Sequence, residues 1–289
     1  MVSPLYPFTG HYLDLGDARM HYLDEGSGPP VFLLHGNPTW SYFYRNLVPV
    51  LSPHRRVIAP DHVGCGRSDK PRLGHYPYSL ARRVADLGRL IDTLCPNERV
   101  SLVVHDWGGM IGFAWATANP DRVDRLVVMN TAAFRLPAGK RLPWSLRLGR
   151  SRLVGPALNR GLNAFCRGAA RYCVVRKPLD RATRQKFLEP YDSWEHRVAV
   201  DQFVRTIPLE DGDAGYDIVK QTESRLPVLA DKPMLLAWGL RDFVFDGEFL
   251  AEWRRHFPRA DVAALADAGH YLLEDAGDEL IPRIARFLT

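Results

Sequence analysis

The residue whose surroundings most suggest chemistry is Asp106, in Leu102-Val103-Val104-His105-Asp106-Trp107-Gly108-Gly109-Met110-Ile111-Gly112. The apolar run Leu102 to Val104 reads as a buried strand. Gly108, Gly109 and Gly112 then lead into the helix formers Phe113-Ala114-Trp115-Ala116. Strand, sharp turn and helix leave one reactive side chain at the tip, the arrangement that exposes a nucleophile above a sheet. Such turns usually keep a small residue two positions before a serine; here those places hold Val104 and Asp106. A carboxylate nucleophile forms an ester instead of acting as an acyl-transfer serine. The chemistry suggested is therefore attack on a saturated carbon bearing a leaving group. The plainer alternative is an Asp that only caps the following helix.

Two later residues complete a relay. Asp242 follows the strand Lys232 to Gly239, and His270 follows a Gly after the weak strand Val262 to Leu265. The chain order is nucleophile, acid, histidine, each at a strand's carboxyl end, so the three can converge above one sheet. His270 is then the base or acid, and Asp242 sets its tautomer and stabilises the imidazolium. Asp246 and Asp267 compete for the acid's place. Trp107 offers an indole N–H with no acceptor capacity, and Asn37, in His35-Gly36-Asn37-Pro38-Thr39-Trp40, offers an amide. Together they would receive a departing anion, the kind of aimed donor pair that dominates electrostatic catalysis. Against this, Asn37 suits a turn before Pro38 and Trp107 could merely pack the elbow.

The elements that must position these groups follow a pattern. His11 to Leu15 and Met20 to Asp24 read as strands joined by Gly16-Asp17, Val31 to Leu34 and Val57 to Pro60 as further strands. Ser41 to Leu51 reads as an amphipathic helix. Ser79 caps a helix to Leu94 with Leu80, Val84, Leu87, Ile91 and Leu94 on one face. Val123 to Asn130 is the next strand, and Leu280 to Leu288 closes the chain as a helix. The loop Asp61 to Pro71 is Gly-rich but lacks the GxGxxG spacing of a nucleotide site. Alternating β and α over the first 130 residues indicates a mostly parallel sheet flanked by helices. That pattern breaks from Thr131 to about Leu229, where arginines and the aromatics Phe134, Trp144, Phe165, Tyr172, Phe187, Tyr191, Trp194 and Phe203 accumulate. The expectation is an α/β core of residues 1–131 and 229–289 with an inserted helical cap, residues 132–228, over the active site. About half of these aromatics should pack the cap; the rest should line a cavity.

Length and composition set the limits. The 289 residues, 46% hydrophobic and 25% charged, suit one large globular α/β domain. There is no apolar run of membrane-spanning length and no secretory signal pattern in Met1-Val2-Ser3-Pro4-Leu5-Tyr6-Pro7-Phe8, so a cytoplasmic protein is expected. Cys65, Cys95, Cys166 and Cys173 show neither CxxC nor zinc spacing; they read as reduced thiols, and no metal or cofactor is expected. The net charge of +5 is concentrated: no acidic residue lies between Asp124 and Asp180, a span holding Lys140, Arg141, Arg147, Arg150, Arg152, Arg160, Arg167, Arg171, Arg176 and Lys177. No RRM, KH or zinc-finger pattern accompanies it, which excludes a nucleic-acid reading. Such a face attracts anionic lipids, acyl-CoA-like ligands or a protein, or is simply solvated.

His35-Gly36-Asn37-Pro38-Thr39-Trp40-Ser41 and His105-Asp106-Trp107-Gly108-Gly109 resemble the haloalkane dehalogenases of the α/β-hydrolase fold. That resemblance implies Asp106 as nucleophile, Asn37 and Trp107 as halide donors, and, with Asn130 after the earlier strand, Asp242 as the acid. His62-Val63-Gly64-Cys65-Gly66-Arg67-Ser68-Asp69-Lys70-Pro71, Asn130-Thr131-Ala132-Ala133-Phe134, Pro190-Tyr191-Asp192-Ser193-Trp194 and Asp242-Phe243-Val244-Phe245-Asp246 are similar to a related group, the β-lactone decarboxylases of bacterial long-chain olefin biosynthesis. This second resemblance spans nearly the whole chain. It implies conversion of a cis-3-alkyl-4-alkyloxetan-2-one to a cis-alkene and CO2. It also implies assembly with olefin-pathway enzymes, including a β-lactone synthetase, which the basic cap could contact. The alternatives are haloalkane hydrolysis through an alkyl-enzyme ester, epoxide hydrolysis with Tyr172, Tyr191 or Tyr216 as acid, and a non-catalytic scaffold.

Overall fold

In the computed structural model residues 5–289 are described; Met1–Pro4, part of the N-terminal stretch read for a signal, lie outside them. The strands are β1 (Gly10–Asp14), β2 (Arg19–Glu25), β3 (Pro30–Leu34), β4 (Arg56–Pro60), β5 (Val100–His105), β6 (Val123–Met129), β7 (Met234–Gly239) and β8 (Asp261–Leu265). They form one sheet in the order β1-β2-β4-β3-β5-β6-β7-β8. β2 runs antiparallel to β1 and β4, and all other pairs are parallel. β3, β5 and β7 are wholly buried, as expected of central strands covered on both faces. Alternation splits them between two cores: Phe32, Leu34, Leu102 and Val104 face one layer of helices, Val31, Leu33 and Val103 the other.

The helices are α1 (Val48–Leu51), α2 (Leu80–Leu94), α3 (Trp107–Ala118), α4 (Trp144–Arg150), α5 (Ala164–Tyr172), α6 (Arg181–Leu188), α7 (Val198–Arg205), α8 (Tyr216–Arg225), α9 (Gly247–His256) and α10 (Leu272–Leu288). Ser79 caps α2 as expected, accepting the Arg82 N–H. The continuous helix expected over Ser41 to Leu51 is corrected: a 3-10 turn covers Ser41–Tyr44 and α1 is a single turn. Pro49 has no N–H to give the Arg45 carbonyl, so the first turn cannot propagate. Tyr42, Phe43 and Tyr44 are all buried, which leaves that turn no polar face. α10 begins at Leu272, eight residues before the expected Leu280, and bends where Ala276 leaves helical geometry.

Register decides where the chemistry can gather. Leu34 pairs with Val104, His105 with Met129, Met129 with Ala237, and Gly239 with Leu265. The loops after β3, β5, β6, β7 and β8 therefore leave the sheet at one level. α4 to α8 lie in the chain between β6 and β7, above that rim. No helix among the described residues is long and apolar enough to cross a membrane.

Candidate active site

Asp106 is the single residue between β5 and α3, with φ 52° and ψ −126°. A non-glycine residue pays for that conformation, and the surroundings hold it there. Its N–H reaches the Asn130 carbonyl at 3.2 Å, and its carbonyl accepts the Thr131 hydroxyl. A side chain at Gly108 would strike the Leu34 carbonyl, and one at Gly36 would strike the Asp106 carboxylate. Both glycines are therefore needed for β3 and its loop to press against the elbow.

The carboxylate has two different ends. Oδ1 accepts the Asn37 backbone N–H at 2.7 Å, with the Trp107 N–H also directed at the group. Oδ2 stands 3.6 Å from His270 Nε2, near but not hydrogen-bonded. The side chain keeps 13% exposure, and Asp106 lines a cavity of about 650 Å³. Burial raises the Asp106 carboxyl above its ordinary value; the His270 charge and the two backbone N–H groups limit the rise.

His270 Nδ1 meets Asp242 Oδ2 at 2.7 Å, and Asp242 is buried. Burial alone would depress the imidazole, but the Asp242 charge and hydrogen bond, with Asp106 added, outweigh it and raise His270. The two competitors for the acid's place are occupied elsewhere. Asp246 caps α9 and pairs with Lys140, and Asp267 pairs with Arg176 at 2.8 Å. Asn130, at φ 31°, ties Asp242 down: its amide donates to Asp242 Oδ2 at 3.0 Å and accepts the Gly239 N–H at 2.8 Å.

Asn37 and Trp107 stand on opposite sides of this carboxylate in the chain and both line the cavity. The Asn37 amide donates one N–H to the Val200 carbonyl of α7 at 3.3 Å, leaving its second for a ligand. The Trp107 indole packs on Phe203, also of α7, at 5.0 Å, and its N–H meets no protein acceptor among the described residues. α7 thus sets the tilt of both donors.

Some supporting residues carried no recognisable sequence signal. His105 lies beneath His270, ring centroids 4.5 Å apart, and its Nε2 holds the His270 carbonyl at 2.9 Å. Burial pushes His105 well below the ordinary histidine range, so it stays neutral. Asp275 accepts the N–H groups of Gly269, Val175 and Arg176, pinning the His270 loop to the segment after α5. The place of His105 beside Asp106 was its only hint; Asp275, remote from Asp106 in the chain, had none. Among the described residues no group of three or more His, Cys, Asp and Glu side chains is gathered as for a metal ion.

The rest of the cavity wall is mostly apolar, with Lys140, Arg141, Ser145 and Asn159 as its polar members. Phe134, Trp144, Phe165 and Tyr172 of the inserted segment line it, while Phe187, Tyr191 and Phe203 are buried packing. Of the tyrosines weighed as epoxide acids, Tyr191 spends its hydroxyl on the Thr39 carbonyl at 3.3 Å. Tyr216 is absent from the cavity wall.

A profile described as the alpha/beta hydrolase fold matches residues 29–277. The chain belongs to the alpha/beta-hydrolase family. It is 47% identical to a cis-3-alkyl-4-alkyloxetan-2-one decarboxylase of Shewanella oneidensis, over 100% of this chain and 91% of that one. A haloalkane dehalogenase of Mycolicibacterium paratuberculosis is 35% identical over 96% of this chain and 92% of its own. The crystal structure of a haloalkane dehalogenase from Bradyrhizobium elkani superposes with a TM-score of 0.84 at 28% identity, covering 97% of each chain. The family member thus shares full-length similarity with both kinds of enzyme, and more with the decarboxylase.

Proposed function

We propose that this chain is a β-lactone decarboxylase that converts a cis-3-alkyl-4-alkyloxetan-2-one to a cis-alkene and CO2. The observation that carries the reading is the 47% identity to the Shewanella decarboxylase along the whole chain. The geometry supports it: a carboxylate oxygen without a hydrogen bond faces a mostly apolar cavity beside two N–H donors.

Asp106 Oδ2 attacks the ring carbon that bears oxygen. The C–O bond breaks and the ring opens to a carboxylate, which the Asn37 amide and Trp107 indole receive. The bond from that carboxylate to the chain then breaks; its electron pair forms the alkene as CO2 leaves, and the Asp106–carbon bond returns its pair to Asp106. Substitution inverts one carbon and anti elimination reverses the relation again, so a cis ring gives a cis-alkene. No water or proton enters the balance. His270, held by Asp242, acts electrostatically, easing the departure of Asp106. Residues 132–228 serve as the cap and residues 1–131 with 229–289 as the core, the apolar cap walls keeping water from the ester. Co-assembly with a β-lactone synthetase belongs to the same proposal, because a strained, poorly soluble lactone is best consumed where it is made.

Purified protein incubated separately with a cis-dialkyl β-lactone, 1-bromobutane and 1,2-dibromoethane tests the reading. Alkene and CO2 from the lactone are expected. Halide release with no alkene would overturn it in favour of haloalkane hydrolysis.

A further inference from the structure

The arginine-rich part of the cap has no part in the chemistry above, yet its surface has two unusual properties together. Apolar side chains stand out into solvent: Leu153 is 90% exposed, Trp144 78%, Tyr172 68% and Leu162 63%. Between them Arg141, Arg147, Arg152, Arg167 and Arg171 are exposed with no carboxylate partner among the described residues. These positions form continuous structure. Asn159 Nδ2 ties the turn before α5 to the Gly149 carbonyl of α4 at 3.1 Å, and Gly155 N–H reaches Ser151 O at 2.9 Å. The patch also surrounds an opening, since Trp144, Leu148 and Tyr172 are both exposed and part of the cavity wall.

We propose that this face docks on an anionic membrane surface and seats the cavity mouth against lipid. Interleaved arginines and exposed Leu, Trp and Tyr are what an interfacial segment needs: cations for headgroup phosphates, apolar groups for the acyl boundary. An unbroken run of 55 residues, from Arg125 to Leu179, carries no acidic side chain to repel such a surface. A protein partner would need an acidic face of matching relief, whereas a lipid surface asks only for charge and apolar reach. The purpose rests on the lactone reading, for a substrate with two alkyl chains partitions into lipid; the docking itself does not.

Flotation of the full chain with phosphatidylcholine vesicles, with and without phosphatidylglycerol, tests this without any turnover, so its failure is separable from failure of the decarboxylase reading. Binding to the phosphatidylglycerol vesicles, weakened by salt, is expected. The paired variant Arg147→Gln, Arg152→Gln should bind about thirtyfold less, from about 1 kcal/mol per charge near such a surface. Leu153→Asp should also lose binding, and Arg147→Lys with Arg152→Lys should keep it. Neither position lines the cavity, so turnover of a short-chain lactone dispersed in detergent should stay at the parental rate, while turnover of a long-chain lactone presented in vesicles should fall. Equal binding to both vesicle types, or parental binding by the variants, would overturn the proposal. So would a dimer in sedimentation velocity that Leu153→Asp dissolves, which assigns the patch to a second copy.

Discussion

At the carboxyl rim of the sheet the groups that position Asp242 and His270 beside Asp106 hold one another. Asn130 holds Asp242, Asp242 holds His270, His105 holds the His270 backbone, and Asp275 holds the loop that carries it. The inserted helices are different. α4 and α5 meet the cavity mostly with aromatic and aliphatic side chains, and α7 touches the site through the Val200 carbonyl, the Phe203 ring and Val204. The difference follows from what each region has to do. Bond exchange requires reacting atoms fixed to fractions of an ångström, which only satisfied, buried polar groups supply. Holding two alkyl chains requires dry volume of about the right shape, which tolerates looser packing. Substitutions at the rim should therefore cost orders of magnitude in rate, and those in the cap wall small factors in affinity.

The largest effect should come from Asp106→Ala. Removing the proposed nucleophile should lower alkene formation by about 10⁴-fold or more, read by gas chromatography, with an unchanged thermal melt. A variant that keeps a tenth of the parental rate would break the comparison, for the rim would then only bind. Next is Trp107→Phe, which keeps the packing on Phe203 and deletes the N–H. A fall in kcat of about 10²-fold with little change in KM is expected if the indole meets charge that develops during ring opening. A rise in KM alone would move Trp107 to the cap's side of the division.

His270 gives a smaller effect with a defined sign. Its pKa is raised, chiefly by Asp242 against the opposing pull of burial. Hydrolysis needs the neutral imidazole to activate water, so it would be lost as pH falls through that raised value. Decarboxylation takes no proton from His270 and gains the imidazolium charge that eases the departure of Asp106, so it should not fall there, failing only at lower pH, when the Asp106 carboxyl takes up its proton. His270→Asn should accordingly cost lactone turnover about tenfold. A hydrolase would lose about 10²- to 10⁴-fold and accumulate an ester on Asp106, visible by peptide mass. The smallest effect is expected from Leu146→Ala in the cap wall, where KM for a long-chain lactone should rise about fivefold with kcat kept, at the low end of what lost methylenes cost in a pocket. A larger loss in kcat would show that the cap, too, positions atoms.

Much of this was legible in the chain because local pattern and local chemistry coincide. A short continuous apolar run bounded by turns suits a doubly covered strand, Ser79 before a helical face suits a cap, and an aspartate between a buried strand and a Gly-rich helix start is set apart by its neighbours. Asp106 and Asp242 could be picked out because each follows such a strand, and His270 because it follows a Gly after a weaker one and completes the chain order. The helix expected over Ser41 to Leu51 shows the limit. Its composition suits a helix, but one missing N–H at Pro49 and the burial of three consecutive aromatics divide it, and burial is not a local property.

The order of strands and loops, and so the candidate reacting groups and the acid-poor basic run, could be read from the amino acids alone, because each is a feature of contiguous residues. The tertiary structure alone decided which of Asp242, Asp246 and Asp267 meets the imidazole, that His105 and Asp275 brace it, and which aromatics face the cavity. It also decided that Trp144, Leu148 and Tyr172 are at once exposed and part of the cavity wall. These depend on distances between segments remote in the chain, which are set by how the two cores pack across the sheet.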